Sequence, residues 1–320
     1  MKRIGVLTSG GDAPGMNAAV RAVVRFGIEA GMEVYGIHKG YNGLINGLME
    51  PMDRRSVADI LQRGGTILKT ARCDKFRAEE WQAKAIERVN VFGLDAVVII
   101  GGNGSFRGAW EISKKGINVI CIPGTIDNDL AYTEQTIGFD TAVNTVLEAI
   151  TRIRDTSSAH ERTTIIEVMG RECGDIALYS GLAGGAEVVL VPEISADIND
   201  VCRKILLGIG NGKQHSIIIK AEGFPVSTDK IVREIQDRTG RDVKPVVLSY
   251  IQRGGSPTLR DRLIATECGD LAIKLVNEDK YNRAIGILDG KISDIDLEDA
   301  LYKKQIFNIE MYRAIDVLSK

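Results

Sequence analysis

Three segments carry the residue types that phosphate chemistry uses, and each follows a short apolar run. Ser9-Gly10-Gly11-Asp12-Ala13-Pro14-Gly15-Met16-Asn17 follows Ile4–Leu7, and Gly101-Gly102-Asn103-Gly104-Ser105-Phe106-Arg107-Gly108 follows Ala96–Ile100. Pro123-Gly124-Thr125-Ile126-Asp127-Asn128-Asp129 follows Val119–Ile122. Glycines in the first segment allow positive φ and leave backbone N–H groups bare, and a following helix adds its N-terminal partial charge; together these make an anion cradle. A plain tight turn is the alternative there. The second segment contains G-x-G-x-x-x-G, so a dinucleotide-binding turn competes with a phosphate turn. A fingerprint of that kind is expected on the first strand of a dinucleotide fold, where this chain lacks it. In the third, Thr125 offers a hydroxyl, and Asp127 and Asp129 stand two positions apart. Residues i and i+2 of an extended loop point the same way. Such a pair suits one general base and one group helping to hold Mg²⁺, with an Asx-turn as the alternative.

Buried strands must position these segments. Besides the three runs above, Val34–Ile37, Thr164–Val168, Val188–Val191, Ser216–Ile219 and Val246–Leu248 read as strands, being rich in β-branched residues and bounded by turn signals. Amphipathic stretches at Asn17–Ala30, Trp81–Val91, Thr141–Arg154, Ile198–Ile209, Lys230–Asp237 and Arg260–Val276 alternate with them. This alternation predicts an α/β fold with mostly parallel sheets covered by helices, and ligands at the carboxyl ends of strands. A soft division falls near the helix that starts at Thr141.

Composition narrows the function classes. The chain has 320 residues, 44% hydrophobic and 26% charged, with a formal net charge of −2. It therefore has no global field for gathering nucleic acid or an anionic membrane, and any anion site is a local cluster. Five cysteines without a CxxC pair fit a reducing cytoplasm better than a disulfide framework or a zinc site. The apolar run after Lys2-Arg3 is too short for a signal peptide, and no apolar stretch is long enough to span a bilayer.

With these segments in view, the chain resembles the bacterial ATP-dependent 6-phosphofructokinases of the short, allosteric type. The likeness runs end to end. Beyond the first and third segments, it rests on Gly64-Gly65-Thr66, Ile137-Gly138-Phe139-Asp140-Thr141-Ala142, Glu167-Val168-Met169-Gly170-Arg171, Ala221-Glu222-Gly223 and Gln252-Arg253-Gly254-Gly255-Ser256-Pro257. The resemblance implies two three-layer α/β/α domains with the active site in the cleft between them, and a cytoplasmic homotetramer. It implies a nucleotide-binding domain of residues 1–138 plus 251–300 and a sugar-phosphate domain of residues 139–250 plus 301–320. ATP, with Mg²⁺, is expected at Gly11, Arg72, Cys73, Gly102, Asn103, Gly104 and Ser105. Asp127 is the implied base for the 1-hydroxyl of fructose 6-phosphate, with Thr125 and Asp127 touching the sugar and Arg171 and Arg72 as clamps on the transferring group. Met169, Gly170, Arg171 and Glu222 are expected to hold the ring, and Arg162 and Arg253 its 6-phosphate, with Lys244 and Tyr250 at the same site. Pyrophosphate-dependent relatives typically carry Asp and Lys where this chain has Gly104 and Gly124, which points to ATP as donor.

The chain departs from the family pattern at motif positions. Asn103 stands where Asp is usual, keeping the shape but losing a charge that helps bind Mg²⁺; Asp129 remains as an indirect metal group. Lys244 replaces Arg, turning a fork into a point charge, and Tyr250 replaces His. A weakened 6-phosphate site follows, and with it a second reading as a catalytically poor, metabolite-binding regulatory subunit, or a kinase for a different sugar phosphate. A nicotinamide dehydrogenase is a third. Arg21, Arg25, Arg54, Asp59, Arg154, Gly185, Glu187, Lys213 and His215 match the family's site for ADP or phosphoenolpyruvate, while Asn211 and Gln214 stand where Lys is frequent. Read without the resemblance, Arg21 and Arg25 form a solvated basic helix face. Cys73, beside Arg72, is a candidate for a lowered thiol pKa and reads as a wall of the nucleotide site.

Overall fold

The computed structural model describes residues 1–319 and divides the chain into two compact units. Unit 1 comprises Met1–Thr141 and Arg253–Gln305; unit 2 comprises Ala142–Gln252 and Ile306 onward.

The strands of unit 1 are β1 (Arg3–Ser9), β2 (Glu33–Ile37), β3 (Met49–Met52), β4 (Ala96–Gly101) and β5 (Val119–Pro123), with β10 (Arg283–Leu288) and β11 (Lys291–Asp296) after the chain returns. Those of unit 2 are β6 (Thr163–Val168), β7 (Val188–Leu190), β8 (Ser216–Ala221) and β9 (Val243–Val247). Helices α1 (Met16–Glu29), α2 (Gly40–Asn46), α3 (Glu79–Val91) and α4 (Asn103–Ser113) belong to unit 1. The long α5 (Phe139–Ala159) starts in unit 1 and continues into unit 2. Unit 2 adds α6 (Asp175–Ala183), α7 (Ile198–Gly210), α8 (Thr228–Thr239) and α11 (Ile309–Leu318), and unit 1 adds α9 (Leu259–Asn277) and α10 (Leu297–Tyr302).

Unit 1 holds a seven-stranded sheet in the order β11-β10-β5-β4-β1-β2-β3. Strands β1, β2, β4, β5 and β10 run parallel, and the two edge strands are antiparallel to their neighbours. Every residue of β4, Ala-Val-Val-Ile-Ile-Gly, is buried, as expected of a strand covered on both faces. The chain passes from β1 to β2 on one side and later to β4 on the other, so the strand order reverses between β1 and β4.

Unit 2 holds a fully parallel four-stranded sheet in the order β7-β8-β6-β9. Ile165, Leu190, Ile205, Ile218, Ile231 and Ile235 form its core between the sheet and α7 and α8. Pro245 lies on β9, an edge strand, where a missing N–H is tolerated.

Every strand read from the sequence is present, with ends shifted by a few residues. Three strands were not foreseen. Met49-Glu50-Pro51-Met52 is short and contains Pro, which fits an edge strand and hides its periodicity. The β10–β11 hairpin turns at Asp289 (φ 51°) and Gly290 (φ 72°), the pairing of positive φ values that Asp-Gly favours in tight hairpins.

Candidate active site

In unit 1 the three phosphate-like turns extend from adjacent parallel strands. Ser9 pairs with Gly101, Gly101 pairs with Pro123, and the N–H of Gly124 donates to the Gly101 carbonyl at 2.9 Å. All three turns therefore leave the carboxyl ends of the parallel neighbours β1, β4 and β5, beside the reversal of strand order between β1 and β4. Crevices of this kind are where open α/β sheets bind ligands. The first turn takes its shape from Gly10 (φ 88°) and Gly15 (φ 103°), with α1 starting one residue later. The second turn leads directly into α4, whose first residue is Asn103. The amide oxygen of Asn103 accepts from Arg107 Nε at 3.0 Å, one helical turn on. Ser105 is buried beneath the same turn. A Cβ added at Gly104 would meet open space, whereas one at Gly124 would press on Ile100 at 2.9 Å and Met16 at 3.3 Å.

The segment carrying Arg72 and Cys73 is tied to the first turn. Asn17 donates to the carbonyls of Arg63 and Gly64 and accepts from the Ile67 N–H at 2.8 Å, while Thr70 Oγ1 donates to the Gly10 carbonyl at 2.7 Å. Arg72 is exposed. The Cys73 thiol donates to Asn42 Oδ1 at 3.2 Å, and burial pushes its pKa up, with Asp74 acting in the same direction. The expected lowering beside Arg72 is thus corrected: desolvation outweighs the Phe76 N–H and the charge of Lys75, which act the other way.

The third turn differs from the extended loop expected. The backbone bends at residues 126 and 127, and Asn128 takes a left-handed conformation with φ 54°. Asn128 Oδ1 accepts from the Thr136 N–H at 3.0 Å, and Thr136 Oγ1 donates to the Thr125 carbonyl at 2.6 Å. Asn128 thus ties the loop across eight residues, a longer span than the two of an Asx-turn. Alternation fails because one residue at positive φ breaks the pleat, and the two carboxylates sit in different environments. Asp127 is 0% exposed, while Asp129 is half-buried. The Asp127 N–H donates to Thr125 Oγ1 at 3.2 Å. Arg253 Nη2 lies 4.0 Å from Asp127 Oδ1, and Arg253 Nη1 donates to the Asp12 carbonyl at 3.1 Å. One guanidinium therefore links the first glycine turn to the Asp127 carboxylate, a link with no signal in local sequence.

In unit 2, Met169, Gly170 and Arg171 follow β6, and Glu222 follows its parallel neighbour β8. Glu222 Oε1 accepts from the N–H groups of Gly170 at 3.2 Å and Arg171 at 2.8 Å, and Gln252 Oε1 accepts from Met169 at 3.2 Å. Gly170 (φ 134°) and Arg171 (φ 54°) both have positive φ, so this turn is bent sharply at the strand end. Arg162 Nη2 donates to Thr156 Oγ1 at 3.2 Å, Lys244 pairs with Asp242 at 2.9 Å, and Tyr250 is exposed. Behind the turn lies a pair that sequence reasoning missed. Lys220 is 2% exposed and pairs with Glu167 at 3.2 Å, and Thr228 Oγ1 also donates to Glu167. The available signal was a lone lysine inside the apolar strand Ser-Ile-Ile-Ile-Lys-Ala.

The expected effector residues fall into two groups, one in each unit. In unit 1, Arg21 and Arg25 share a face of α1; burial, then the like charge of Arg25, lowers the Arg21 pKa. Arg25 reaches the Arg54 carbonyl at 3.4 Å, and Arg54 pairs with Glu29. Asp59 takes a positive φ of 53° in the loop after β3. In unit 2, Arg154 donates to the carbonyls of Gly184 at 2.5 Å and Gly185 at 2.9 Å. Lys213 lies 3.5 Å from Glu187, whose other oxygen accepts from the Ile217 N–H at 2.7 Å; His215 is half-buried nearby in sequence.

Together, the sheet order and the three strand-end turns define a parallel-sheet α/β protein with its loops gathered at a topological switch point. The family model for phosphofructokinase matches residues 3–276, and the chain belongs to the phosphofructokinase family. It is 55% identical, over 100% of both chains, to the Clostridium acetobutylicum protein named ATP-dependent 6-phosphofructokinase. The Clostridium tetani protein of the same name is also 55% identical, again over 100% of both. Among solved structures, Saccharomyces cerevisiae phosphofructokinase superposes with a TM-score of 0.91 at 32% identity, covering 98% of this chain, which spans 50% of the yeast chain. A pyrophosphate-dependent phosphofructokinase from Marinobacter aquaeolei shares the fold, with a TM-score of 0.84 at 21% identity over 97% of this chain and 86% of its own.

Proposed function

We propose that this protein is an ATP-dependent 6-phosphofructokinase, transferring the γ-phosphoryl group of ATP to the 1-hydroxyl of fructose 6-phosphate in glycolysis. The observation that carries this reading is the buried Asp127 carboxylate at the end of β5, beside two glycine turns on adjacent strands and next to Arg253. Asp127 accepts the proton of the sugar 1-hydroxyl as that oxygen bonds to the γ-phosphorus. The bond from phosphorus to the bridging β,γ-oxygen breaks, and ADP departs. Catalysis of this kind is mostly positioning and charge neutralisation. Unit 1 is the nucleotide-binding domain: Gly11, Arg72, Cys73 and the turn from Gly102 to Ser105 hold the nucleotide. The open space at Gly104 fits a bound nucleotide, as a side chain there would fill it. Met169, Gly170, Arg171 and Glu222 hold the sugar ring, Thr125 and Asp127 also touch the sugar, and Arg162, Lys244, Tyr250 and Arg253 hold its phosphate. Arg171 also neutralises charge on the group in transit.

Among the described residues no cluster of three or more His, Cys, Asp or Glu side chains stands ready to hold a metal. That fits Mg²⁺, which usually binds through one or two carboxylates and substrate phosphates. Asn103 and Asp129 would help hold it, and its charge would offset that of the phosphates. ADP or phosphoenolpyruvate acts as effector on the arginine and lysine groups of each unit in a cytoplasmic homotetramer. No helix among the described residues is long and apolar enough to cross a membrane.

A coupled assay with ATP, Mg²⁺ and fructose 6-phosphate tests the reading. Removing a general base costs roughly 10²–10⁴-fold in rate, so Asp127→Asn is expected to fall by that factor. Absence of sugar-dependent ADP formation by the wild-type protein would refute the function. Full activity in Asp127→Asn would refute the role of that carboxylate.

A further inference from the structure

We propose that Asp261, on the first turn of α9, is a positioning residue that sets the place of the Asp127 loop against the first glycine turn. This rests on the proposed function for its kinetic readout.

The loop that carries Asp127 is closed at its base. The Thr125 N–H donates to the Ile137 carbonyl at 3.1 Å, and the Ile137 N–H donates to the Pro123 carbonyl at 2.9 Å. Wherever Ile137 is held, Thr125 and the two residues after it are held too. Gly138 is next in the chain, and its N–H donates to Asp261 Oδ1 at 2.9 Å. Asp261 Oδ2 accepts from the Thr141 N–H at 2.9 Å and from Thr141 Oγ1 at 2.5 Å. Three donors converge on one carboxylate, and only an ionised acid brings two oxygens with no donor of its own. The anion also caps the N-terminus of α5, where the helix dipole favours it. The exchange is reciprocal: Thr141 Oγ1 accepts from the Thr258 N–H at 3.0 Å, and Thr258 Oγ1 donates to Asp140 at 2.6 Å.

A second set of contacts reaches the first glycine turn. A Cβ added at Gly15 would meet Ile137 Cγ2 at 2.5 Å and Asp261 Cβ at 3.6 Å, and one at Gly138 would meet Ala13 Cβ at 2.7 Å. Both glycines have positive φ, 103° and 105°. The first turn, the closing segment of the Asp127 loop and Asp261 thus meet at one packed joint. Asp261 is 0% exposed, and burial raises its pKa to about 6, with Asp140 acting in the same direction, despite the three donors. A buried carboxylate that is costly to ionise holds the two parts whose separation decides whether base and phosphate donor meet the substrate.

The test uses Thr141→Val, Thr141→Ser and Asp261→Asn beside the wild type. Valine keeps the shape and loses the hydroxyl; serine keeps the hydroxyl and loses a methyl. Expected are a kcat within twofold of wild type for Thr141→Ser, about 3–10-fold lower for Thr141→Val, and about 10–100-fold lower for Asp261→Asn. KM for ATP and for the sugar phosphate should stay within about threefold. Hydrogen exchange across residues 124–138 should quicken in the same order. The inference is overturned by unchanged kcat per folded molecule in Thr141→Val, by Thr141→Ser falling as far as Thr141→Val, or by losses that lie wholly in KM. If Asp261→Asn does not fold, the threonine pair decides. A wild type without kinase activity counts against the proposed function alone; exchange across residues 124–138 then decides, and rates unchanged in Thr141→Val sink the positioning role.

Discussion

Replacing Asn103 by Asp isolates the effect of one charge at the head of α4. In the structure the Asn103 amide oxygen already accepts from Arg107 Nε at 3.0 Å, and the side chain is half-buried at the first residue of the helix. A carboxylate there would have two cations to serve, the guanidinium and the Mg²⁺ that the proposed function places with ATP. A hydrogen bond or ligand contact gains about 1.5–3 kcal/mol when one partner is charged. An exposed pair one helical turn apart is worth only about 0.3–0.5 kcal/mol, and part of that is given up when the metal binds. The net gain is therefore about 1–2.5 kcal/mol, or roughly 5–70-fold. The assay is steady-state ADP formation with Mg²⁺ titrated at fixed nucleotide, for wild type and Asn103→Asp, each with and without Arg107→Ala. The aspartate variant should reach half-maximal rate at lower Mg²⁺ or show a higher kcat by that factor, and the gain should be larger when Arg107 is absent. No gain in either background, or a smaller gain once Arg107 is removed, would refute competition between the guanidinium and the metal for that charge.

Other perturbations have equally definite outcomes. Gly104→Ala should fold normally, because its Cβ meets nothing within 4 Å, and should gain about 0.5–1 kcal/mol as a helix residue while raising KM for ATP. Gly124→Ala must push Ile100 or Met16 aside and should lose about 1–3 kcal/mol in urea denaturation, so equal stability of these two variants would contradict the packing. Lys220→Met leaves Glu167, 22% exposed, without its buried cation and should cost about 1–3 kcal/mol, part of which returns in the double variant with Glu167→Gln; a larger loss in the double variant would show that the pair is not coupled. The folded pKa of Asp261, raised to about 6, exceeds the unfolded value of about 3.9, so the folded state binds the extra proton. Its contribution to stability is therefore fully present below about pH 4 and is lost as pH rises to about 6, a change of about 3 kcal/mol relative to Asp261→Asn that pH-dependent denaturation will read. A difference between the two proteins that does not vary over that range would refute the raised pKa.

The central strands were legible because burial on both faces writes itself locally, as β-branched runs such as Ala96–Ile100 bounded by glycine. Three strands lack that signal: β3 is short and contains Pro51, β10 carries Gly286 inside its apolar run, and β11 is β10's largely polar antiparallel partner, with Asp289-Gly290 marking their hairpin. The residue types at Asp127, Thr125 and the glycines suit phosphate chemistry but leave plain tight turns and an Asx-turn open, and the resemblance to the 6-phosphofructokinases is what implied their roles. Sequence could not show that Asn128 accepts from Thr136, eight residues away across a closed loop. Nor could it place Arg253 beside Asp127 and Asp12, since that meeting depends on the chain returning to unit 1 after building a second sheet. The raised pKa of Cys73 likewise follows from burial, which the neighbouring Arg72 in sequence does not report. The amino-acid sequence alone determined the strand order's raw material, the glycine turns and the presence of the Asp127 carboxylate proposed as base, since these follow from local periodicity and residue chemistry. Tertiary structure alone decided which guanidinium faces that acid, which carboxylate pins its loop and which lysine is buried behind the other turn, because such pairs join residues as far as 126 positions apart through the topology of the sheets.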